Sequence, residues 1–378
     1  MTQRRSAPTL LACVFAAILA GCATGGGRNA LDAPTTVAEE ASRGAKIDLD
    51  VQPAGMTLAP DGARLYVADA EGNAIVVVDT ATRAVVGRIE GDRFPDADDG
   101  CPDNICRGQG ASDIAIAADG RRAVASSMTK DAVSVLDLEQ GTVTARVPVG
   151  RFPRALAITA DGRRAWVVNA VADTVSEIDV DAAQAVGEPI AIGDGDASRQ
   201  PFGRMVGLWL SPDERALFVY DAFGDAIAAF DTGTRARREA AAIDAELGGL
   251  ALAHDGRRVA LQDHAALAVH ATGTDLDTLH SVPTCAPGGL PPTRLALASD
   301  GRHVAVAHMW GQRIHLVDVA TGRTVASYGQ HDGIAALAFA PDDGTLYALG
   351  FDGSLAFIDP SRSAGPPETP LFCPAPAA

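Results

Sequence analysis

Short apolar stretches, each closed by an Asp-led turn, recur along most of the chain. The turns are Asp61-Gly62, Asp119-Gly120, Asp161-Gly162, Asp213-Glu214, Asp255-Gly256, Asp300-Gly301 and Asp342-Asp343-Gly344. The shortest interval between them, as from Asp119 to Asp161, recurs from Asp213 to Asp255 and from Asp300 to Asp342, and it sets the length of the repeat unit. The longer intervals, Asp61 to Asp119, Asp161 to Asp213 and Asp255 to Asp300, carry insertions. A second marker keeps the register: Asp79, Asp137, Asp179, Asp231 and Asp318 each follow their own turn Asp at one constant offset, and Asp359 follows Asp342 one position sooner. In the fifth copy His270 takes that place early after Asp255, which predicts a shortened middle turn.

Within each unit, four β-rich runs of five to seven residues alternate with turn residues, leaving room only for hairpin loops. The third copy predicts strands over Ala155–Thr159, Ala165–Asn169, Thr174–Asp179 and Val186–Ile192. Runs such as Ile75-Val76-Val77-Val78 are apolar on both faces, so each sheet must be covered on both sides. Radial packing of sheets around an axis provides that cover, and Ala-interleaved runs such as Ile114-Ala115-Ile116-Ala117 suit the crowded centre. The fold expected is all-β: a seven-bladed β-propeller of four-stranded antiparallel blades over residues 46–362. The seventh unit is one strand short and Lys46 to Val51 forms an isolated strand, so this N-terminal strand is expected to close the ring. Residues 363–378 are rich in Pro and read as a surface tail.

The N-terminus carries an address. Arg4 and Arg5 precede an apolar run from Leu10 to Ala20, the layout of a secretory signal over residues 1–21, and the run is too short to span a bilayer. Leu19-Ala20-Gly21-Cys22 resembles the lipobox of bacterial lipoproteins, which implies lipidation at Cys22. Ala23, in place of an Asp, implies an outer-membrane anchor facing the periplasm. Residues 22–45 then read as the lipidated Cys and a flexible tether. The remaining stretches Val149-Gly150-Arg151-Phe152-Pro153, Trp166-Val167-Val168-Asn169 and Thr174 to Asp179, with Tyr66-Val67-Ala68-Asp69 in the first copy, resemble the YVTN-type propeller repeat. That resemblance implies an extracytoplasmic protein, and related seven-bladed folds include sugar-lactone hydrolases and domains of electron-transfer dehydrogenases. None of Trp166, Trp209 and Trp310 is followed by Asp, which disfavours WD40 repeats.

Charge narrows the partners. With 31 basic and 48 acidic residues the net charge is −17, which argues against an extended phosphate-binding surface and therefore against nucleic acid. Cys101, Cys106, Cys285 and Cys373 form an even set in an exported chain and are expected to pair as disulfides, Cys101 with Cys106 and Cys285 with Cys373 being the favoured arrangement. Neither a metal site nor a haem attachment motif is apparent, so no cofactor is expected. His303, His308 and His315 share the sixth repeat, but their spacing sets them on a strand, a turn and the next strand.

The insertions, Asp92–Ser112, Gly193–Met205 and Pro283–Thr293, all join one blade to the next and so gather on one face, the expected binding surface. From the insertions and the mid-blade turns that face draws Arg107, Arg151, Phe152, Arg154, Arg204, Arg294, Asp69, Asn169, Asp221, His308 and Trp310. Arg and aromatic side chains anchor interfaces, and clustered Arg in an acidic body also suits an anionic ligand. The sequence therefore reads as a lipid-anchored envelope module, monomeric in its body, that binds an envelope protein or a small anionic ligand through this face. The alternative is an enzyme of the lactone-hydrolase or dehydrogenase-associated type. An acid meeting an Arg at the channel mouth, with Asp69, Asp221 and His308 as the named candidates, would favour the enzyme.

Overall fold

The computed structural model describes residues 45–91, 111–128, 130–192, 206–221, 226–242, 247–263, 266–273, 276–283, 293–308, 313–329 and 333–362. These form seven antiparallel sheets in a ring, with no helix among the described residues. The protein is a seven-bladed β-propeller. The strand Ala45–Asp48 completes the seventh blade by pairing with Ser354–Ile358, with Ala45 opposite Phe357 and Asp48 opposite Ser354. The expected ring closure is therefore present, and Lys46 reinforces it with an ion pair to Asp352 at 3.1 Å.

The two sequence markers have a shared physical cause. Each turn Asp accepts a hydrogen bond from the backbone N–H two residues on, from Ala63 (2.9 Å) in the first blade to Gly344 (3.0 Å) in the seventh. The residue after the Asp takes a left-handed backbone, with φ of 73° at Gly62 and 67° at Gly301. Glycine accepts that conformation without strain. Glu214 (φ 58°) and Asp343 (φ 57°) hold it in the two copies whose sequence departs. The second marker uses a longer version of the device at the other hairpin on the same side, where Asp79 accepts the N–H of Thr82, three residues on, at 2.7 Å and Asp231 that of Thr234 at 2.7 Å, with the left-handed residue at Arg83 and Arg235.

Both-face hydrophobicity is explained by the seams. Seven apolar clusters are present, one between each pair of neighbouring blades. Val76 and Val78 pack towards blade 7 with Tyr347 and Leu349, whereas Ile75 and Val77 pack towards blade 2 with Ile114 and Ala123. A polar clasp supplements the seam between blades 3 and 4. Buried Glu177 receives the Arg164 Nε at 2.9 Å and the Arg235 guanidinium at 2.7 Å, and Arg164 also lies over the Trp166 ring.

One expected strand is corrected. In place of a continuous Val186–Ile192, the outer strand of blade 3 is two short pieces, Gln184–Ala185 and Ile190–Ala191. Gly187 has φ 61° and Pro189 lacks an N–H, so the ladder breaks between them. Carbonyls freed by the break accept from Arg235, at Val186 (2.6 Å) and Glu188 (3.2 Å), which ties the broken edge into the clasp.

Candidate functional site

The innermost strands are Pro53–Leu58, Ala111–Ile116, Pro153–Ile158, Val206–Leu210, Gly249–Leu252, Thr293–Leu297 and Ile334–Phe339. They surround a central channel of about 680 Å³. Every one of these strands has its inner edge unpaired, so the lumen offers backbone donors and acceptors. At the far end, on the Asp-Gly side, His254 of blade 5 donates from Nε2 to the Pro60 carbonyl of blade 1 at 3.1 Å. Those blades lie on opposite sides of the ring, so this bond bridges the channel floor.

The other end is the mouth into which the insertions lead. In all seven innermost strands the charged residues are Asp113, Arg154 and Arg294, and all three lie within the first three positions, at this mouth. The position at the same offset before each turn Asp is Gly55, Asp113, Ala155, Gly207, Gly249, Arg294 and Ala336 in turn. Asp113 and Arg294 thus break a column of Gly and Ala.

Local structure positions each group. A bulge between Ala111 and Asp113 re-aims the strand, and similar irregularities occur at the same end of blades 1, 3 and 7. The Asp113 carboxylate accepts the Ile114 N–H at 2.9 Å and the Leu156 N–H of the next blade at 3.1 Å. Gly55 leaves room beside it, since a Cβ there would stand 3.0 Å from the Ser112 carbonyl oxygen and 3.9 Å from Asp113 Oδ1. Arg294 donates from Nε to the Ala335 carbonyl of blade 7 at 2.7 Å. Arg154 follows Phe152, whose φ of 61° is held by an N–H bond to Asp131 at 2.8 Å.

Electrostatics set this cluster apart. Asp113 keeps part of its surface open to the channel, yet protein surrounds it, and desolvation pushes its carboxyl up to about 6 against the pull of its two N–H donors and Arg154. Burial lowers the proton affinity of both guanidiniums. The charge of Asp113 offsets this for Arg154, whereas the charge of Arg154 lowers Arg294 further. Both remain protonated. The mouth therefore holds two cations that repel each other and one carboxylate, a field that favours an added negative charge.

The other residues expected on this face divide. Arg151 is exposed and Phe152 half-buried beside Arg154. His308 is the last residue of the strand His303–His308 and not part of a turn, paired in register with Thr293, the neighbour of Arg294. His303 bonds Asp300, and His315 is buried against Ser327 at 3.0 Å, so the three His do not converge. Asp69 does meet an Arg, but it is Arg88 on the outer strand of its own blade, and its other oxygen holds the Gln52 and Gly72 N–H groups. Asn169 is fully buried, its amide donating to Thr174 and Ser176, and presents nothing to the face. Asp221 ends the strand Ala216–Asp221, and its side chain lies outside what is described. Cys22, Cys101, Cys106, Arg107, Arg204, Cys285, Trp310 and Cys373 also lie outside the described residues. Among the described residues no group of three or more His, Cys, Asp or Glu could hold a metal. Asp113 was missed by sequence reasoning, and the signal that marks it is a charge in the Gly/Ala column of the repeat alignment.

Comparison with known proteins agrees with this class of fold. Residues 56–190 match the family model described as "Lactonase, 7-bladed beta-propeller", a stretch that includes Asp113 and Arg154. No curated protein matches in sequence. Among solved structures, Kuenenia stuttgartiensis hydrazine synthase superposes with a TM-score of 0.65 at 17% identity, covering 84% of this chain and 98% of that one. The β-propeller domain of Cps50 (Swd1) from Myceliophteria thermophila superposes with a TM-score of 0.67 at 13% identity, covering 83% and 99%. At such identities the likeness is one of fold.

Proposed function

We propose that the protein binds a small anionic ligand, bearing a carboxylate or a phosphate, at the mouth of its central channel. Arg154 and Arg294 supply the charge and Asp113 sets its pH dependence. The observation that carries this reading is the convergence of the only charged residues of the seven described innermost strands on one half-buried mouth. Two half-buried guanidiniums whose charges oppose each other gain more from a shared anion than fully exposed Arg would. The channel below accommodates a polar body that replaces water on the unpaired strand edges. The test is calorimetric titration with sulfate and with simple carboxylates. Binding by the wild type, lost in Arg154→Gln and in Arg294→Gln with the fold intact, is expected, and equal affinity in all three proteins refutes the reading.

A second reading is favoured by the lactonase match and by the raised carboxyl of Asp113: hydrolysis of a lactone. Above pH 6 the Asp113 carboxylate takes a proton from water as that water adds to the lactone carbonyl carbon. A guanidinium stabilises the resulting oxyanion, and the ring C–O bond breaks as Asp113 returns the proton to the leaving oxygen. The product is a hydroxy acid whose carboxylate remains beside the Arg pair. A pH-stat assay over a lactone panel tests this, with activity expected to vanish in Asp113→Asn. As for setting, the lipobox-like Cys22 supports lipid anchoring in the bacterial envelope, and the acidic charge supports a role apart from nucleic acid. Loss of palmitate labelling in Cys22→Ser checks the anchor.

A further inference from the structure

We infer that Ser126 is a positioning residue that sets Arg154 beside Asp113 by gripping the backbone across the seam between blades 2 and 3. Its consequence for ligand binding rests on the anion-binding reading above.

Ser126 lies on the second strand of blade 2, Arg122–Ser127, directly opposite Asp113 in register and beside the bulge that re-aims it. It is buried, at 1% exposure. Its hydroxyl donates to the Arg154 carbonyl at 2.8 Å and lies 2.7 Å from the Ser112 hydroxyl. A hydroxyl carries one proton, so donation to Arg154 makes Ser112 the donor to Ser126. Ser112 itself sits 3.4 Å from the Pro153 carbonyl, so two consecutive carbonyls of blade 3 face this pair. One serine thus touches the strand carrying the acid and the residue carrying the cation. The matching register positions are the apolar Ala68 in blade 1, Ala307 in blade 6 and Leu349 in blade 7, with Tyr220 in blade 4, whose hydroxyl accepts the Leu247 N–H at 2.8 Å, and Gln262 in blade 5, whose amide donates to the Asp263 carbonyl at 3.2 Å. The grip on a neighbouring carbonyl beside a charged residue is the feature of Ser126. The hydroxyl stands at the seam where Asp113 and Arg154 meet. The charged group bearing on Asp113 is Arg154 from blade 3, and Arg154 in turn bears on Arg294 from blade 6. Blade 1 contributes Gly55, which carries no charge.

The role is tested by following the Asp113 carboxyl through a pH titration by carbon NMR in Ser126→Ala, Ser126→Thr and Ser112→Ala, alongside sulfate affinity at about pH 7.5. Loss of the Ser126 hydroxyl lets Arg154 drift, so the Asp113 midpoint rises above that of the wild type and sulfate binding weakens about tenfold, the scale of one hydrogen bond. Ser126→Thr keeps the hydroxyl and restores both. Ser112→Ala shifts the midpoint in the same direction by less and serves should Ser126→Ala fail to fold. A merely structural serine lowers stability without moving the midpoint, so an unmoved midpoint in folded Ser126→Ala and Ser112→Ala overturns the proposal. If the midpoint rises but wild type binds no sulfate, the anion-binding reading falls and the positioning role stands.

Discussion

Asp113 and His315 are expected to oppose each other in the pH dependence of stability. Asp113 has its carboxyl raised from 3.8 to about 6, so the folded state holds its proton longer than the unfolded chain. Stability from this group is complete below pH 3.8 and is lost as pH rises to 6, by at most about 3 kcal/mol at 1.36 kcal/mol per unit. His315, 2% exposed and with burial as the main cause, has its imidazole lowered from 6.5 to about 4. Here the unfolded chain binds the proton first, so stability is complete above pH 6.5 and falls by about 3 kcal/mol as pH drops to 4. In the wild type the two slopes oppose each other. They sit on blades 2 and 6 and share no partner, so their effects should add. The carboxylates whose values are lowered, such as Asp161 and Asp213, lose their contribution from the ordinary Asp range downwards, and His270, lowered by burial, adds a slope of the same sign as His315; both are common to all three proteins and drop out of the comparison. Urea unfolding at several pH values checks the pair. Asp113→Asn is expected to become more stable as pH rises from 4 to 6.5, and His315→Gln less stable. The absolute stability of either variant also includes altered hydrogen bonds, so the slope is the quantity to compare. Profiles of both variants running parallel to the wild type, within about 0.5 kcal/mol, refute the reasoning.

The seams and the ring closure can be probed in the same way. Glu177→Gln leaves Arg164 and Arg235 sharing an uncharged partner, and should cost about 2–4 kcal/mol in denaturant unfolding, whereas a midpoint within error of the wild type denies the clasp its role. Gly55→Ala places a methyl 3.0 Å from a backbone oxygen, and a loss of about 1–2 kcal/mol with a displaced Asp113 titration is expected. A chain beginning at residue 49 lacks the strand paired with Ser354–Ile358 and should unfold at lower denaturant; an unchanged midpoint shows that blade 7 holds without it.

Much of the architecture is legible because its signals are local. An Asp accepting from the N–H two residues on, followed by a left-handed residue, is a turn with a fixed sequence cost, and seven of them mark the blades, with Gly at the left-handed position in all but the fourth and seventh. The break in the outer strand of blade 3 was hidden because Val186 to Ile192 is apolar enough for a strand, and the group that holds the broken edge, Arg235, comes from the next blade. The site was half legible. Arg154 and Arg294 stood out as Arg near the insertions, but Asp113 reads as one acid before an Ile-Ala run. Its meaning depends on a register shared by seven strands that only meet at the axis. Asn169 and Asp69 show the converse, polar residues at turn-side positions that the fold turns inward to hold backbone and neighbouring side chains.

The strand that completes blade 7 is made first and its partner almost last, with Lys46 and Asp352 separated by 306 positions. Joining the two ends in an otherwise unstructured chain would carry a loop-closure term of about 5 kcal/mol, from (3/2)RT ln n. If the blades assemble in order, each seam aligns the next and the curved stack carries the termini towards each other, so little of that entropy is left to lose. The arrangement favours a folding route that grows as an arc and ends in a single zipping step. Until that step, the outer edge of the last blade and the leading strand both present unpaired backbone, which makes the late arc the species most prone to pair with a second chain.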